Sequence, residues 1–154
     1  MANGTVLAIC ISPAAGAPMR SVDSVMALAG LGLEGDRYAA GEGSWNKGRP
    51  GKSQVTLVNG LFFPGSGFDH LESRRNIVTM GVELMDLIGK EFAVGDAKLR
   101  GVRYCDPCQR PSVLAGKSVS FKEAFHDRGG LVAEVLESGL ITVGCAIVPP
   151  PKKH

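Results

Sequence analysis

Lys98-Leu99-Arg100-Gly101-Val102-Arg103-Tyr104 reads as a β-strand that runs without a break into Cys105-Asp106-Pro107-Cys108. The strand ends in an irregular, proline-containing connection and not in a regular helix, and the same is true of the other runs rich in Val, Ile, Thr and Leu. These lie at Thr5 to Ser12, Gln54 to Asn59, Asn76 to Thr79 and Ile141 to Val148, residue types that suit a pleated, half-buried surface. Between them the spacing predicts short helices at Val22 to Ala29, Val82 to Ile88, Ser120 to His126 and Leu131 to Ser138. A doubly wound parallel sheet needs regular 10–15-residue helices between strands. Irregular connections instead favour a mainly β chain with short helices (α+β), its sheet barrel-like with the helices around it.

A chain of 154 residues fits one domain that buries roughly 70% of the surface its unfolded form exposes. Residues 1–148 are read as that domain and 149–154 as a Pro/Lys tail. The 21 glycines and 9 prolines imply many turns. Glycines and basic residues at Gly41 to Lys52 mark a loop around Trp45, and Pro64, Gly65 and Gly67 keep Leu61 to Leu71 irregular. A net charge of +2, with Lys152-Lys153 read as part of a solvated tail, gives no footprint for nucleic acid. No apolar stretch approaches the ~20 residues of a membrane-spanning helix. The apolar run at Val6 to Ile11 lacks the preceding cation of a secretory signal, so a cytoplasmic protein is expected. Four cysteines in such a chain are read as free thiols or ligands.

Four features carry possible chemistry. Cys105-Asp106-Pro107-Cys108 sets two soft ligands two residues apart, with Arg103 and Arg110 on either side to favour a thiolate. A structural zinc site needs a second ligand pair, and a thioredoxin-like pair needs a βαβ setting; neither is visible, and idle thiols remain the plain alternative. Arg74-Arg75-Asn76 leads into the strand at 76–79. Alternation along an extended chain would send the two guanidinium groups to opposite faces, one toward a cavity and the other toward solvent or Glu72. Gly32 to Tyr38, containing Arg37, and His126-Asp127-Arg128-Gly129-Gly130 are glycine-rich segments that bring an arginine with exposed backbone N–H groups. Neither matches a P-loop or a dinucleotide fingerprint.

Taken in order, these segments resemble the MOSC family, named for the C-terminal domain of molybdenum cofactor sulfurases. The resemblance rests on Gly32-Leu33-Glu34-Gly35-Asp36-Arg37-Tyr38-Ala39, Gln54 to Val58, and Ser73-Arg74-Arg75-Asn76-Ile77-Val78-Thr79 with Gly81-Val82. It continues through Phe92 to Gly95, Cys105 to Cys108, Arg128 to Leu131 and Gly139 to Gly144. It spans about residues 28 to 148. Cys145 departs from the family's usual aspartate, which alters a turn, and Pro64 breaks a stretch that is helical in many relatives, which bears on the pocket wall.

What the resemblance implies is a barrel-like fold with a pocket for a molybdenum cofactor of the molybdopterin type. Cys108 then falls on the molybdenum ligand. Arg37, Arg74, Arg75 and Asn76 fall on cofactor-binding positions, Cys105 and Asp106 stand beside the ligand, and Arg128 and His126 are expected as supporting catalytic groups. The expected activity is oxidoreductase chemistry on a small N-oxygenated substrate. Because no flavin, haem or iron–sulfur motif is present, the electrons would come from a separate reductase. The alternative is a sulfur carrier or cofactor-delivery module with a persulfide on Cys108.

Overall fold

The computed structural model describes residues 3–41 and 51–151. Most of the glycine-rich loop read at 41–52, with Trp45, and the tail residues Lys152 to His154 therefore lie outside the described residues. Eleven strands are described: β1 (Gly4–Ile11), β2 (Arg20–Val22), β3 (Ser24–Leu28), β4 (Gly32–Leu33), β5 (Val55–Asn59), β6 (Ile77–Met80), β7 (Glu91–Val94), β8 (Ala97–Tyr104), β9 (Leu131–Glu137), β10 (Gly139–Thr142) and β11 (Ala146–Val148). Two short helices, α1 (Arg110–Ala115) and α2 (Phe121–Ala124), follow the cysteine motif.

Seven strands close on themselves in the order β1-β11-β7-β8-β9-β5-β6 and back to β1, with β2 paired to the far end of β1 at Ile9 to Ile11. Closure is made by the pairs Gly4↔Ile147 and Thr5↔Ala146, and it removes the exposed edges that an open sheet of this size would present. All the barrel pairings are antiparallel except β5 with β6. A parallel pair requires a crossover, which explains why residues 60–76 leave the barrel wall and return. The interior is filled by Ile9, Leu57, Ile77, Leu99, Leu131 and Ile147, each fully buried. A separate three-stranded sheet, β10-β3-β4, packs beside the barrel.

The expected barrel-like sheet is therefore present, but two of the expected helices are strands. Leu131–Glu137 is β9, flanked by β8 and β5, and Ser24–Leu28 is β3, paired with β10. Both have apolar residues at spacings a helix would also accept; burial on both faces of the wall decides for the strand in β9. The expected helix at Val82 to Ile88 shrinks to a 3-10 turn at Leu84–Leu87, and the run at Ile141 to Val148 is split by a turn into β10 and β11. The expected helix at Ser120 to His126 is present as α2, started by the Ser120 hydroxyl, which accepts the Glu123 N–H at 3.1 Å.

A smaller apolar cluster lies outside the barrel. Phe121 and Phe125 stack at 4.4 Å between ring centres, with Phe63 and Phe68 edge-on to them and Val58 and Val78 beneath. This cluster seats both α2 and the 60–76 crossover on β5 and β6. Ser112 of α1 joins it indirectly: its hydroxyl donates to the Val119 carbonyl at 2.7 Å and accepts the Phe121 N–H at 2.8 Å. The helix that begins two residues after Cys108 is thus anchored to the aromatic cluster.

Candidate functional site

An open cavity of about 210 Å³ lies at one end of the barrel, and Cys105 and Cys108 both line it. The basic groups on its walls are Arg37, Arg74, Arg75, Arg103 and Arg110, and Asp106 is the one carboxylate among the described lining residues. Tyr38, Tyr104 and Val132 supply flat or apolar surface. Burial pushes both phenols up from their ordinary range, so they remain protonated at neutral pH.

Two local breaks in strand alternation build this concentration of charge. Arg74 has φ of 62°, in the left-handed region, which few side chains other than glycine and asparagine enter without cost. The pair is not extended there, and both Arg74 and Arg75 line the same cavity instead of parting to opposite faces. Glu72, the partner expected for one of them, pairs with Lys117 at 2.8 Å. On the other wall the β8–β9 register shifts between Gly101 and Arg103. This bulge places the successive residues Arg103 and Tyr104 on the cavity.

The buried arginines are held by named partners. Arg37 is 5% exposed. Its Nη1 donates to Asp36 Oδ1 at 3.1 Å and its Nη2 to the Arg74 carbonyl at 3.1 Å, while Asp36 also accepts the N–H groups of Ser12 and Tyr38. Arg37 is therefore charge-paired, and it props the strained Arg74 turn. Arg75, 7% exposed, donates from Nε to the Gly129 carbonyl at 2.8 Å and lies 5.4 Å from the Phe121 ring centre. The Arg128-Gly129-Gly130 segment supports the site through its backbone: Gly130 accepts the Cys105 N–H at 2.9 Å, and the Gly129 N–H points to the Tyr104 hydroxyl at 3.4 Å. A Cβ on Gly129 would collide with the Cys105 carbonyl, and one on Gly130, whose φ is 107°, would collide with the Leu57 carbonyl of β5, so each glycine is required by a different neighbour.

One nitrogen of each neighbouring arginine, Arg74 Nη2 and Arg75 Nη2, is buried with no hydrogen-bond partner. An unsatisfied buried donor costs on the order of 1–3 kcal/mol, more when charged. Burial and the nearby Arg37 and Arg110 push the Arg74 guanidinium down to about 10, so it is charged at neutral pH but disfavoured in that form. Two such donors in a basic cavity suit the oxygens of an anion.

Other expected site residues are elsewhere. Asn76 is fully buried and is not among the lining residues: its Oδ1 accepts the Thr56 N–H at 3.0 Å and its Nδ2 donates to the Cys10 carbonyl at 3.1 Å, tying β6 to β5 and β1. The amide is consumed by the barrel wall. Arg128 is exposed and covers the Phe62 ring at 4.8 Å, and His126 is exposed beside Asp127 at 3.5 Å. Neither lines the cavity. Nor does the Leu61 to Leu71 stretch, which instead carries the aromatic cluster. Cys145 sits in the turn between β10 and β11. Tyr38 and Tyr104, which do line the cavity, carried no sequence signal beyond their nearness to Arg37 and Cys105.

A model of the MOSC domain matches residues 53–148. The chain belongs to the MOSC domain family. That family is associated with molybdenum cofactor binding. Arg37 precedes the matched segment, yet the MOSC barrel brings it to the same cavity as Cys108. Among solved structures, the YuaD protein of Bacillus subtilis superposes with a TM-score of 0.77 at 16% identity, covering 95% of this chain and 94% of that one. YiiM of Escherichia coli gives 0.64 at 15% identity, covering 97% and 71%, and YiiM of Geobacillus stearothermophilus 0.67 at 15%, covering 96% and 75%. At these identities the likeness is one of fold. A search of curated protein sequences finds no match. No helix among the described residues of this MOSC chain is long and apolar enough to cross a membrane, and none of its four cysteines is in a disulfide.

Arg74→Ala is expected to weaken cofactor retention by about 1.5–3 kcal/mol, the range for hydrogen bonds to charged groups, with lysine restoring only part. Because the folded protein holds this guanidinium below its ordinary pKa, the charged form is a burden on the cofactor-free fold at every pH below about 10, and that burden lifts only as pH rises through about 10 toward the ordinary arginine value. The melting temperature of cofactor-free Arg74→Ala should accordingly hold or rise. A clear fall, with cofactor affinity unchanged in the folded fraction, would make Arg74 a structural residue.

Proposed function

We propose that this protein binds a molybdenum cofactor in the basic cavity, with the Cys108 thiolate as metal ligand and Arg74 and Arg75 on the cofactor's phosphate, and that it reduces N-hydroxylated small molecules. The reading is carried by the two acceptor-less guanidinium nitrogens, Arg74 Nη2 and Arg75 Nη2, which are buried on arginines that line the same cavity as Cys108. A phosphate offers acceptors to both, and a thiol at the cavity mouth is a soft ligand suited to a metal already held by sulfur. Among the described residues no three metal-ligating side chains converge, a donor set that fits a metal carried in by its own organic ligand.

When bound, the cofactor supplies a metal that changes oxidation state by two and can accept oxygen from nitrogen. The chain's own part is to bind and orient. Arg37 fixes the Arg74 turn, Gly129 and Gly130 hold Arg75 and the cysteine loop, and the tyrosines and Val132 face the organic part of the ligands. Electrons come from a separate reductase, and we assign the protein to the cytoplasm.

Metal and pterin analysis after expression in a cofactor-producing host tests the binding half. Loaded protein given an artificial low-potential reductant should then convert N-hydroxylated substrates to the corresponding amines, with a requirement for both reductant and Cys108. Cys108 is also exposed, which favours a second reading in which it meets a partner protein and hands over sulfur or cofactor. In that case intact mass would show a persulfide gain of about 32 Da on Cys108, and molybdenum-loaded protein would reduce none of a broad N-oxygenated panel while activating an apoenzyme.

A further inference from the structure

The charges around the cavity fall into two tiers. Arg37 and Arg75, both buried, and the half-buried Arg74 form a floor, and Arg103 and Arg110 form an exposed rim on either side of the two thiols. On the floor, Arg37 is neutralised by Asp36, leaving Arg74 and Arg75 with two positive charges. A phosphate monoester at neutral pH carries close to two negative charges, so the cofactor phosphate of the proposed function balances the floor.

The rim is then left over. Arg103 donates from Nη2 to the Ser53 hydroxyl at 2.8 Å, and no described carboxylate forms an ion pair with Arg103 or Arg110. Gly16 leaves room for Arg110: a Cβ there would lie 3.3 Å from Arg110 Nη2. The two groups thus come from different elements, one at the end of β8 and one at the start of α1, and only Asp106 opposes them on the lining. Two forked donors against one carboxylate leave a single uncompensated positive charge beside Cys108, with Tyr104, Pro111 and Val132 nearby to face a flat organic body.

We propose that this rim is a second anion subsite, in which Arg103 and Arg110 receive the carboxylate of the small molecule brought to Cys108, so that the substrates are N-hydroxylated acids and not neutral bases. The proposal rests on the reading of Cys108 as the ligand at the reacting centre. Arginine forks match a carboxylate in a bidentate way that a neutral ring cannot satisfy. The inner and outer subsites repel one another when empty, as the action of Arg110 on Arg74 shows, and filling either one relieves the other.

The rim can be tested without cofactor by alkylating Cys108 with iodoacetate and, separately, with iodoacetamide, each reaction forming a thioether and releasing iodide. The ratio of the two rates, read by peptide mass and divided by the same ratio for N-acetylcysteinamide, cancels differences in thiolate fraction. Cys10, buried and pushed up to about 11 by desolvation and Asp69, serves as an unreactive internal reference. At low salt the normalised ratio at Cys108 should be about five to ten, falling toward one at high salt. Arg103→Gln and Arg110→Gln should each lower it about two- to threefold, with lysine preserving most of it. A ratio of one, or a ratio lost in Arg74→Gln but kept in both rim variants, would overturn the subsite. In molybdenum-loaded protein, the rim variants should raise KM for a carboxylated N-hydroxy aromatic with kcat held, and leave its uncharged parent unchanged; equal KM values for acid and parent in the unaltered protein would overturn the substrate class. Failure of the protein to take up molybdenum would count against the proposed function, while the alkylation ratio would still decide the rim.

Discussion

Replacing Cys108 with serine is expected to abolish molybdenum retention, whereas Cys105→Ser should lose far less. Both thiols line the cavity, so spacing does not choose between them; the family resemblance does, by placing the ligand on the second cysteine. Serine keeps the size and loses the chemistry, since its hydroxyl is harder and does not ionise near neutral pH, while a thiol readily yields the thiolate a soft metal binds. The fold should not suffer, because Cys108 is exposed and its loop is held by other contacts, among them the Cys105 N–H to the Gly130 carbonyl. Molybdenum and pterin content per folded protein gives the comparison directly. Equal loss in the two variants would indicate a site that uses both sulfurs.

Gly129→Ala should be a damaging single-methyl change directly beneath the cysteine loop. The added carbon would meet the Cys105 carbonyl oxygen and lie 2.9 Å from Pro107 Cδ, and both neighbours are held within the cysteine loop, so neither yields cheaply. The cost is expected to reach about 3 kcal/mol, or a fall in melting temperature of roughly 6–12 °C for a chain of this size. Cofactor should be lost as well, because the Gly129 carbonyl is the acceptor that orients Arg75. If Gly129→Ala melted normally and kept its cofactor, the close packing of this segment under the cysteines would have no bearing on the site.

The strands that carry the barrel were legible where β-branched residues cluster, as in β1, β5 and β6. Short strands such as β4 and β7 left too few residues for a period to show. In Leu131 to Ser138, Leu131, Val132, Val135 and Leu136 recur at a spacing that suits a helix, and only the presence of β8 and β5 on its two sides makes it a strand. The candidate site was legible as a cysteine pair and a set of arginines. Its geometry was not, because alternation is the rule a sequence reader applies, and the cavity is built where that rule fails: at the positive φ of Arg74 and at the bulge before Arg103. Asn76 shows the converse. Its side chain could serve a ligand or a wall, and three strands converging on one amide decide for the wall.

The pairing of β1 with β11 bears on how the molecule is made. β1 needs β11, the most distant of the described strands along the chain, as its neighbour, so the nascent chain must wait for residues 146–148 before the cylinder can shut. Until then β1 and β7 each present a bare edge to the cell. Non-local pairing of this kind slows folding and lengthens exposure to other chains. The cavity shares that delay in part, since β8 cannot reach its final place until β7 and β9 flank it, and its cavity-lining residues Arg103 and Tyr104 come to order late in synthesis.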